Sequence, residues 1–321
     1  MNHSEPRDSV ITAVVVTYES AQVLERCVAS LARSAPRRGV RIVVVDNASR
    51  DGSAEMADRL LGASQVRRET TNQGFAAAVN RVARDFSGTW LAVINPDAEV
   101  PAGGLDALAD VLDAHPRAGL VGPRVLTHAG VAERTVGYFP TLRRAWQQAL
   151  WLHRLPGLRG RMARFPSRTA PVDWVSGCVW LLRGDAVRAA GPLCEEYFMY
   201  WEDVDYCRVL RNGGWDTLAT PDVTVRHDAG TGSTGTALLP ADGGLGLLRY
   251  FARFHPEVPP AAVRSVMRVS SALRQRGHAW CARCGSARSA VLARRYALTL
   301  DLLRGTAANA SPAAHTQSED A

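Results

Sequence analysis

Apolar residues form two kinds of run along this chain. Residues 10–17 and 40–45 are short, continuous and rich in Val, the pattern of strands covered on both faces in a parallel sheet. Between them, Val23, Leu24, Cys27, Val28 and Leu31 recur three and four apart, which predicts an amphipathic helix over 22–33. A turn-rich stretch follows at 46–53, with Ser53 placed to cap a helix over 54–61. The alternation continues with a short strand near Val66, a helix over about 75–86, a buried strand at 90–94, and a helix over 105–115 opened by Pro101. Strand and helix in turn predict an α/β fold: a doubly wound, mostly parallel sheet flanked by helices.

Beyond Gly122 the pattern loosens. Turn signals run through 124–170, a strand resumes over 172–182, a short helix is expected near 185–190, and short strands at 217–220 and 223–226 lead to His227. Residues 245–304 read as helical and Arg-rich. The expected organisation is a flexible N-terminus (1–9), an α/β domain (10–240), a helical extension (241–304) and a small, polar, disordered tail (305–321).

Composition removes several function classes. The chain has 321 residues, 46% of them hydrophobic, enough for a large core. No run of 18 uncharged apolar residues and no secretory pattern is present, so a cytoplasmic protein is expected. All 38 basic residues are Arg, which excludes a P-loop lysine or a Schiff base. The six cysteines are scattered and read as reduced thiols, and the Cys281/Cys284 pair has no second pair with which to build a zinc site.

The net charge of +7 points to an anionic partner: nucleic acid, an acidic lipid surface or a phosphorylated substrate. Between 143 and 168, Arg143, Arg144, Arg154, Arg159, Arg161, Arg164 and Arg168 interleave with Trp146, Leu150, Trp151, Leu155, Leu158 and Phe165. That composition suits an interfacial membrane segment and equally an ordinary basic helix pair.

The most informative stretch is 197–216, where Glu202, Asp203 and Asp205 follow a nearly uncharged aromatic run. Acids suit the positive end of a helix, while Val204, Cys207 and Leu210 at spacing three face a core. A carboxylate beside apolar walls also has a raised pKa suited to proton abstraction, so cap and site both stand. Three further polar clusters close predicted strands: Thr17-Tyr18-Glu19, Asp46-Asn47 and Asn95-Pro96-Asp97. Ligands in doubly wound sheets bind beyond those strand ends. No G-x-G-x-x-G follows the first strand and no G-x-S-x-G elbow is present, which disfavours a dinucleotide dehydrogenase and an α/β hydrolase. Carboxylates and a His at strand ends suit a divalent cation on a diphosphate.

Seven pieces in order, at 15–19, 44–53, 72–80, 95–97, 174–177, 198–205 and 227–235, together resemble the family 2 glycosyltransferases of the GT-A fold. The similarity is greatest to bacterial rhamnosyltransferases that extend polyprenyl-diphosphate-linked sugars, and it spans about residues 10–235.

The resemblance implies an inverting transfer in which Asp203 is the base. It implies that Thr17, Tyr18, Glu19, Asp46 and Asn47 hold the nucleoside, and that Asn72, Gly74, Asn80 and Asn95 line the diphosphate and donor sugar. Asp97 and His227 would bind Mg2+ or Mn2+; Asn95 departs from the Asp common at that place. Trp174, Trp201 and Glu202 would meet the acceptor, and Thr231, Ser233 and Thr234 would offer hydroxyls to phosphate.

The implied donor is dTDP-rhamnose, with transfer of galactofuranose, mannose or an amino sugar as the alternative, and the implied acceptor is a glycan or polyprenyl-diphosphate-linked sugar. Peripheral contact with the inner face of the cell membrane is implied, and no nucleic acid partner. A non-catalytic module binding a nucleotide sugar or anionic lipid, and nucleic-acid binding by the Arg-rich helices, are the rival classes.

Overall fold

The computed structural model describes residues 10–152, 163–227 and 239–305, without the side chains of 239–244, 288 and 305. The first half follows the predicted alternation: β1 (Ile11–Thr17), α1 (Ala21–Leu31), β2 (Val40–Asp46), α2 (Ser53–Leu61), β3 (Val66–Arg68), α3 (Phe75–Ala83), β4 (Trp90–Ile94), β5 (Ala98–Glu99) and α4 (Gly104–Ala114). Next come β6 (Ala118–Leu126), β7 (Val136–Gly137), α5 (Leu142–Ala149), β8 (Ala170–Val172), β9 (Trp174–Val175), β10 (Val179–Arg183), α6 (Gly184–Ala190), α7 (Glu202–Asn212) and β11 (Asp216–His227). Three helices end the described chain: α8 (Leu239–Phe254), α9 (Pro260–Arg283) and α10 (Ala287–Gly305).

The main sheet has the order β3-β2-β1-β4-β10-β6-β11-β5, with β8 added on β11. Strands β3, β2, β1 and β4 are parallel, and so are β6 and β11; β10 runs antiparallel between β4 and β6. The fold is therefore the expected α/β class, a mostly parallel sheet flanked by helices. Its register matters for the site, because Thr17 pairs with Asp46 and Val15 with Ile94, so the carboxyl ends of β1, β2 and β4 finish side by side.

The core lies where helices cover those strands. Ile11, Ala13, Val15, Leu24, Leu31, Val44, Ala92, Ile94 and Leu105 are all fully buried. Each large side chain there contributes roughly 2 kcal/mol by leaving water. The structure differs from the sequence expectation in several places, first of all at β6 (Ala118–Leu126), where no strand was expected. Residues 172–182 are not one strand: Ser176 donates to the Thr135 carbonyl at 2.8 Å and β9 pairs with β7, so the chain bends away before β10 starts. Residues 217–226 form one strand rather than two, with a register shift between Thr220 and Thr224 that absorbs Pro221. Ser53 is the first helical residue rather than the cap; Gly52 takes that place at φ +89°, and Ser53 Oγ accepts from the Ser20 amide at 2.9 Å.

The chain divides into two compact units. Described residues 10–139 and 163–227 make the sheet-containing unit. Residues 140–152 and 239–305 make a helical unit in which α5 packs against α9. There the Arg274 guanidinium lies 5.3 Å from the Trp151 ring and donates to the Gln148 carbonyl at 3.3 Å. Thus Trp151, read as a membrane-segment candidate, packs within a helical bundle. Arg154, Leu155, Leu158, Arg159 and Arg161 lie outside the described residues, as do 1–9, 228–238 and 306–321. No described helix is long and apolar enough to cross a membrane.

Candidate active site

Thr17 and Asp46 close adjacent strands and are almost completely buried. Asp46 Oδ2 accepts from the Ser49 amide at 3.0 Å, the turn contact expected of a loop Asp. Its Oδ1 and the Thr17 hydroxyl have no hydrogen-bond partner among the described residues. The two residues are paired in register across β1 and β2, and a buried polar atom left without a partner costs about 1–3 kcal/mol. Glu19, at φ +50°, is committed locally: its carboxylate accepts from the Arg50 amide at 2.7 Å and its amide donates to Ser49 Oγ at 3.0 Å. Tyr18 beside it is exposed.

Asn47 is the fastener of the next loop. Its side-chain amide donates to Asn72 Oδ1 at 2.8 Å and to the Gly74 carbonyl at 3.1 Å, and its Oδ1 accepts from the Gln73 amide at 3.1 Å. Gly74 sits at φ +89°, and a Cβ there would collide with the Phe198 backbone. Phe75 donates to the Phe198 carbonyl at 3.0 Å. Asn80, expected at the donor, is buried with both amide ends in use: Nδ2 donates to Leu193 O and Glu195 Oε1, and Oδ1 accepts from the Leu193 amide. The structure places it as a brace between α3 and the 193–195 segment.

Asn95, Asp97 and His227 come together although 132 positions separate Asn95 from His227. The antiparallel pairing of β5 with β11 sets His227 opposite Ala98. His227 Nε2 then lies 3.2 Å from Asp97 Oδ1 and 3.4 Å from Asn95 Nδ2. On the other side of the ring, Nδ1 lies 3.1 Å from Glu133 Oε2. Burial opposes charge on this imidazole, but the hydrogen bond to Asp97, aided by the Cys178 contact, outweighs it and raises its pKa to about 11.

Glu133 was not found by sequence reasoning. Nothing in Val131-Ala132-Glu133-Arg134 distinguishes it, and only the chain's return past β6 carries it to the histidine.

Among the described residues no three His, Cys, Asp or Glu side chains converge as a metal cage. The Asp97–His227 pair does fit two adjacent ligands of one ion. Ligands about 2.1 Å from an octahedral cation stand roughly 3.0 Å apart, and a carboxylate on the far nitrogen of a ligand histidine is the common supporting arrangement.

Helix α7 begins at Glu202 as expected, with Val204, Cys207 and Leu210 buried on its inner face. Two successive non-glycine residues, Tyr200 (φ +65°) and Trp201 (φ +77°), turn the chain into it. Left-handed backbone at such residues costs of order 1 kcal/mol or more each and gathers at functional sites.

Burial raises the Asp203 pKa to about 6, against the amides of Val204 (2.8 Å from Oδ1) and Gly177, which favour the charge. Burial and then the neighbouring Asp203 raise Glu202 to about 8, and its Oε2 is buried without a described partner. Asp205 accepts from the Tyr197 hydroxyl at 3.1 Å.

Two neighbouring residues join these parts. Gly177 faces Asp203 and Phe75, while Cys178 lies beside His227 and its carbonyl accepts from the Asn95 amide at 2.9 Å. The acidic helix, the 72–75 loop and the Asp97–His227 pair are therefore brought together at Gly177 and Cys178. Trp174 is occupied otherwise: its indole N–H donates to the Tyr138 carbonyl at 3.1 Å and its ring covers Gly137. Trp201 caps α7 and is half-buried. Thr231, Ser233 and Thr234 lie outside the described residues.

A profile of the Glycosyl transferase family 2 matches residues 12–174. The N-acetylglucosaminyl-diphospho-decaprenol L-rhamnosyltransferase of Mycobacterium tuberculosis is 32% identical over 233 residues, which are 68% of this chain and 76% of that protein. Among solved structures, S. aureus TarS 1-349 in complex with UDP-GlcNAc has a TM-score of 0.54 at 14% identity, over 80% of this chain and 70% of that one. A mannosyltransferase from Pyrobaculum calidifontis in complex with GDP-Man and Mn2+ has a TM-score of 0.53 at 19% identity, over 92% of this chain and 82% of that one. The chain spans 42% of a longer S. aureus TarS chain, with a TM-score of 0.52 and 15% identity.

Such distant structures establish the fold alone. The matched profile and the mycobacterial relative go further, and together with the strand-end site they make this chain a glycosyltransferase, a member of the Glycosyl transferase family 2.

Proposed function

We propose that this glycosyltransferase moves L-rhamnose from dTDP-rhamnose to a polyprenyl-diphosphate-linked sugar, inverting the anomeric centre, with Asp203 as the base. What carries the mechanistic part is one adjacency: Gly177 at Asp203 and Cys178 at His227 hold a proton acceptor beside a pair able to bind a cation. The donor and acceptor are supported by the name of the mycobacterial relative.

Asp46 Oδ1 and Thr17 Oγ1, the two orphaned acceptors, would take hydrogen bonds from the nucleoside. Asn47 would keep the Asn72–Gly74 loop in shape beneath the donor. Asp97 Oδ1 and His227 Nε2 would hold Mg2+ or Mn2+, which when bound offsets the charge of the leaving diphosphate. His227, protonated on both nitrogens at its raised pKa, would give up the Nε2 proton to become a ligand, and Glu133 would hold the other on Nδ1. Asp203 would accept the proton of the acceptor hydroxyl as that oxygen attacks the anomeric carbon from the face opposite the diphosphate. Trp201 and Glu202, at the mouth of α7, would contact the acceptor. A lipid-linked acceptor implies work at the inner face of the cell membrane.

Membership of the family does not by itself select the sugar, and transfer of galactofuranose, mannose or an amino sugar is the second reading. The test is nucleotide release and product formation with dTDP-rhamnose, UDP-GlcNAc, UDP-galactofuranose and GDP-mannose, on lipid-linked N-acetylglucosamine, with and without divalent ion. Transfer from dTDP-rhamnose alone, dependent on the ion and lost in Asp203→Asn, is the expected result. Transfer from a different donor would retire the rhamnose reading and keep the mechanism; full activity in Asp203→Asn would retire the mechanism.

A further inference from the structure

Charge is divided very unevenly between the two units. Residues 140–161 and 235–321 hold 16 Arg and 5 acidic residues, whereas the rest of the chain holds 22 Arg and 26 acids, so the whole +7 is an excess carried by the helical unit. Within that unit, residues 258–300 contain eight Arg and no Asp or Glu. This stretch is α9, the turn after it and most of α10, and His278 stacks on Tyr296 at 5.8 Å between the two helices.

The turn end of the hairpin is apolar where it is most exposed. Trp280, one helical turn before the bend, is 67% accessible, the highest value of any large apolar side chain among the described residues. Val291, one turn after the bend, is 48% accessible, and Cys284 and Ala287 between them are exposed. With a rise of 1.5 Å per residue, Trp280 and Val291 stand about 6 Å behind the bend, within the roughly 5–10 Å to which interfacial helices sink among headgroups. Arg276 and Arg283 share Trp280's side of α9 at spacing four and three, and both are exposed.

We propose that the α9–α10 turn is a docking tip for an anionic lipid bilayer, with Trp280 seated at the headgroup level and Arg276 and Arg283 on lipid phosphates. Acid-free sequence together with an exposed indole selects this occupant. Arginine alone would serve any polyanion, but an exposed Trp–Val tip gains from a surface that has an apolar layer below its charge. The inference deepens the reading of a lipid-linked acceptor by naming the surface that meets the lipid.

The test is co-sedimentation of the full chain with vesicles of phosphatidylcholine alone or with 30% phosphatidylglycerol. Transfer to a water-soluble acceptor analogue is measured in parallel. Binding to the anionic vesicles only, weakened about tenfold or more by Trp280→Ala and by Arg276→Glu/Arg283→Glu, is the expected result; each arginine at such a surface is worth about fivefold. Circular dichroism confirms the fold of these surface variants.

Equal binding by the variants, binding to neutral vesicles alone, binding to RNA but not to vesicles, or a dimer that Trp280→Ala dissociates would each overturn it. Vesicle binding without any transfer would instead spare this tip and count against the proposed reaction.

Discussion

Glu133 and His227 lie 94 residues apart in the chain and 3.1 Å apart in space, the carboxylate facing the Nδ1 side of a ring whose Nε2 faces Asp97. When the Nε2 proton is given up, a carboxylate in that place holds the remaining proton on Nδ1. Replacing Glu133 by Gln keeps the shape and removes the charge. It is expected to weaken Mn2+ binding in the presence of dTDP by about 10–100-fold, read by electron paramagnetic resonance, with the melting temperature little changed. Unaltered Mn2+ affinity would show that the carboxylate does not support the ligand.

As the proposed base, Asp203 would act only when ionised, and burial has lifted its pKa to about 6. The rate of transfer is therefore expected to climb as pH rises through about 6 and to level off above it. Asp203→Asn should lower kcat by about 10²–10⁴-fold, leave donor affinity near the wild-type value, and remove the limb at pH 6 from what activity is left. A pH profile without that limb in the wild type would contradict the assignment.

Glu202 makes an opposite demand on stability. Its folded-state pKa, about 8, is above the ordinary 4.5, so between those values the folded protein binds a proton that the unfolded chain has released. The stabilisation is complete below about pH 4.5 and is lost as pH rises through 8. Melting temperatures of Glu202→Gln relative to wild type are expected to rise steadily across that window. A constant difference from pH 5 to pH 8.5 would mean that Glu202 does not titrate as described.

Gly74 meets the Phe198 backbone closely and at positive φ, so Gly74→Ala combines left-handed strain with a collision against a carbonyl that cannot swing aside. A loss of at least ~2 kcal/mol in urea unfolding is expected. Because Phe198 leads into Tyr200 and Trp201, transfer should fall by more than the loss of folded protein explains. A variant with wild-type stability would show that the loop yields.

The first half of the fold was legible because a parallel strand covered on both faces is written as an unbroken apolar run, as in Val14-Val15-Val16 and Val43-Val44-Val45, and the helices between alternate at 3.6. The second half was less so. β6 passes through Gly119, Gly122 and Pro123, residues that weaken any strand signal, and it is held by pairing with β10 and β11. Ser53 has the composition of a cap, but the backbone turned one residue earlier because Gly52 alone reaches φ +89° at no cost.

Within the candidate site, the local character of the residues marked the positions proposed to hold chemistry: acids at a helix start, polar residues at strand ends, a histidine closing the last strand. Those properties are carried by a few neighbouring residues, so the linear chain records them. Partnership was decided only by tertiary structure. Asn80 turned from donor contact to brace once Leu193 and Glu195 came against it, Trp174 gave its indole to Tyr138, and Glu133 acquired a task through its distance to His227. A hydrogen bond depends on separations of about 3 Å, which are set by how strands far apart in the chain are ordered and registered in the sheet, and local composition does not encode that order.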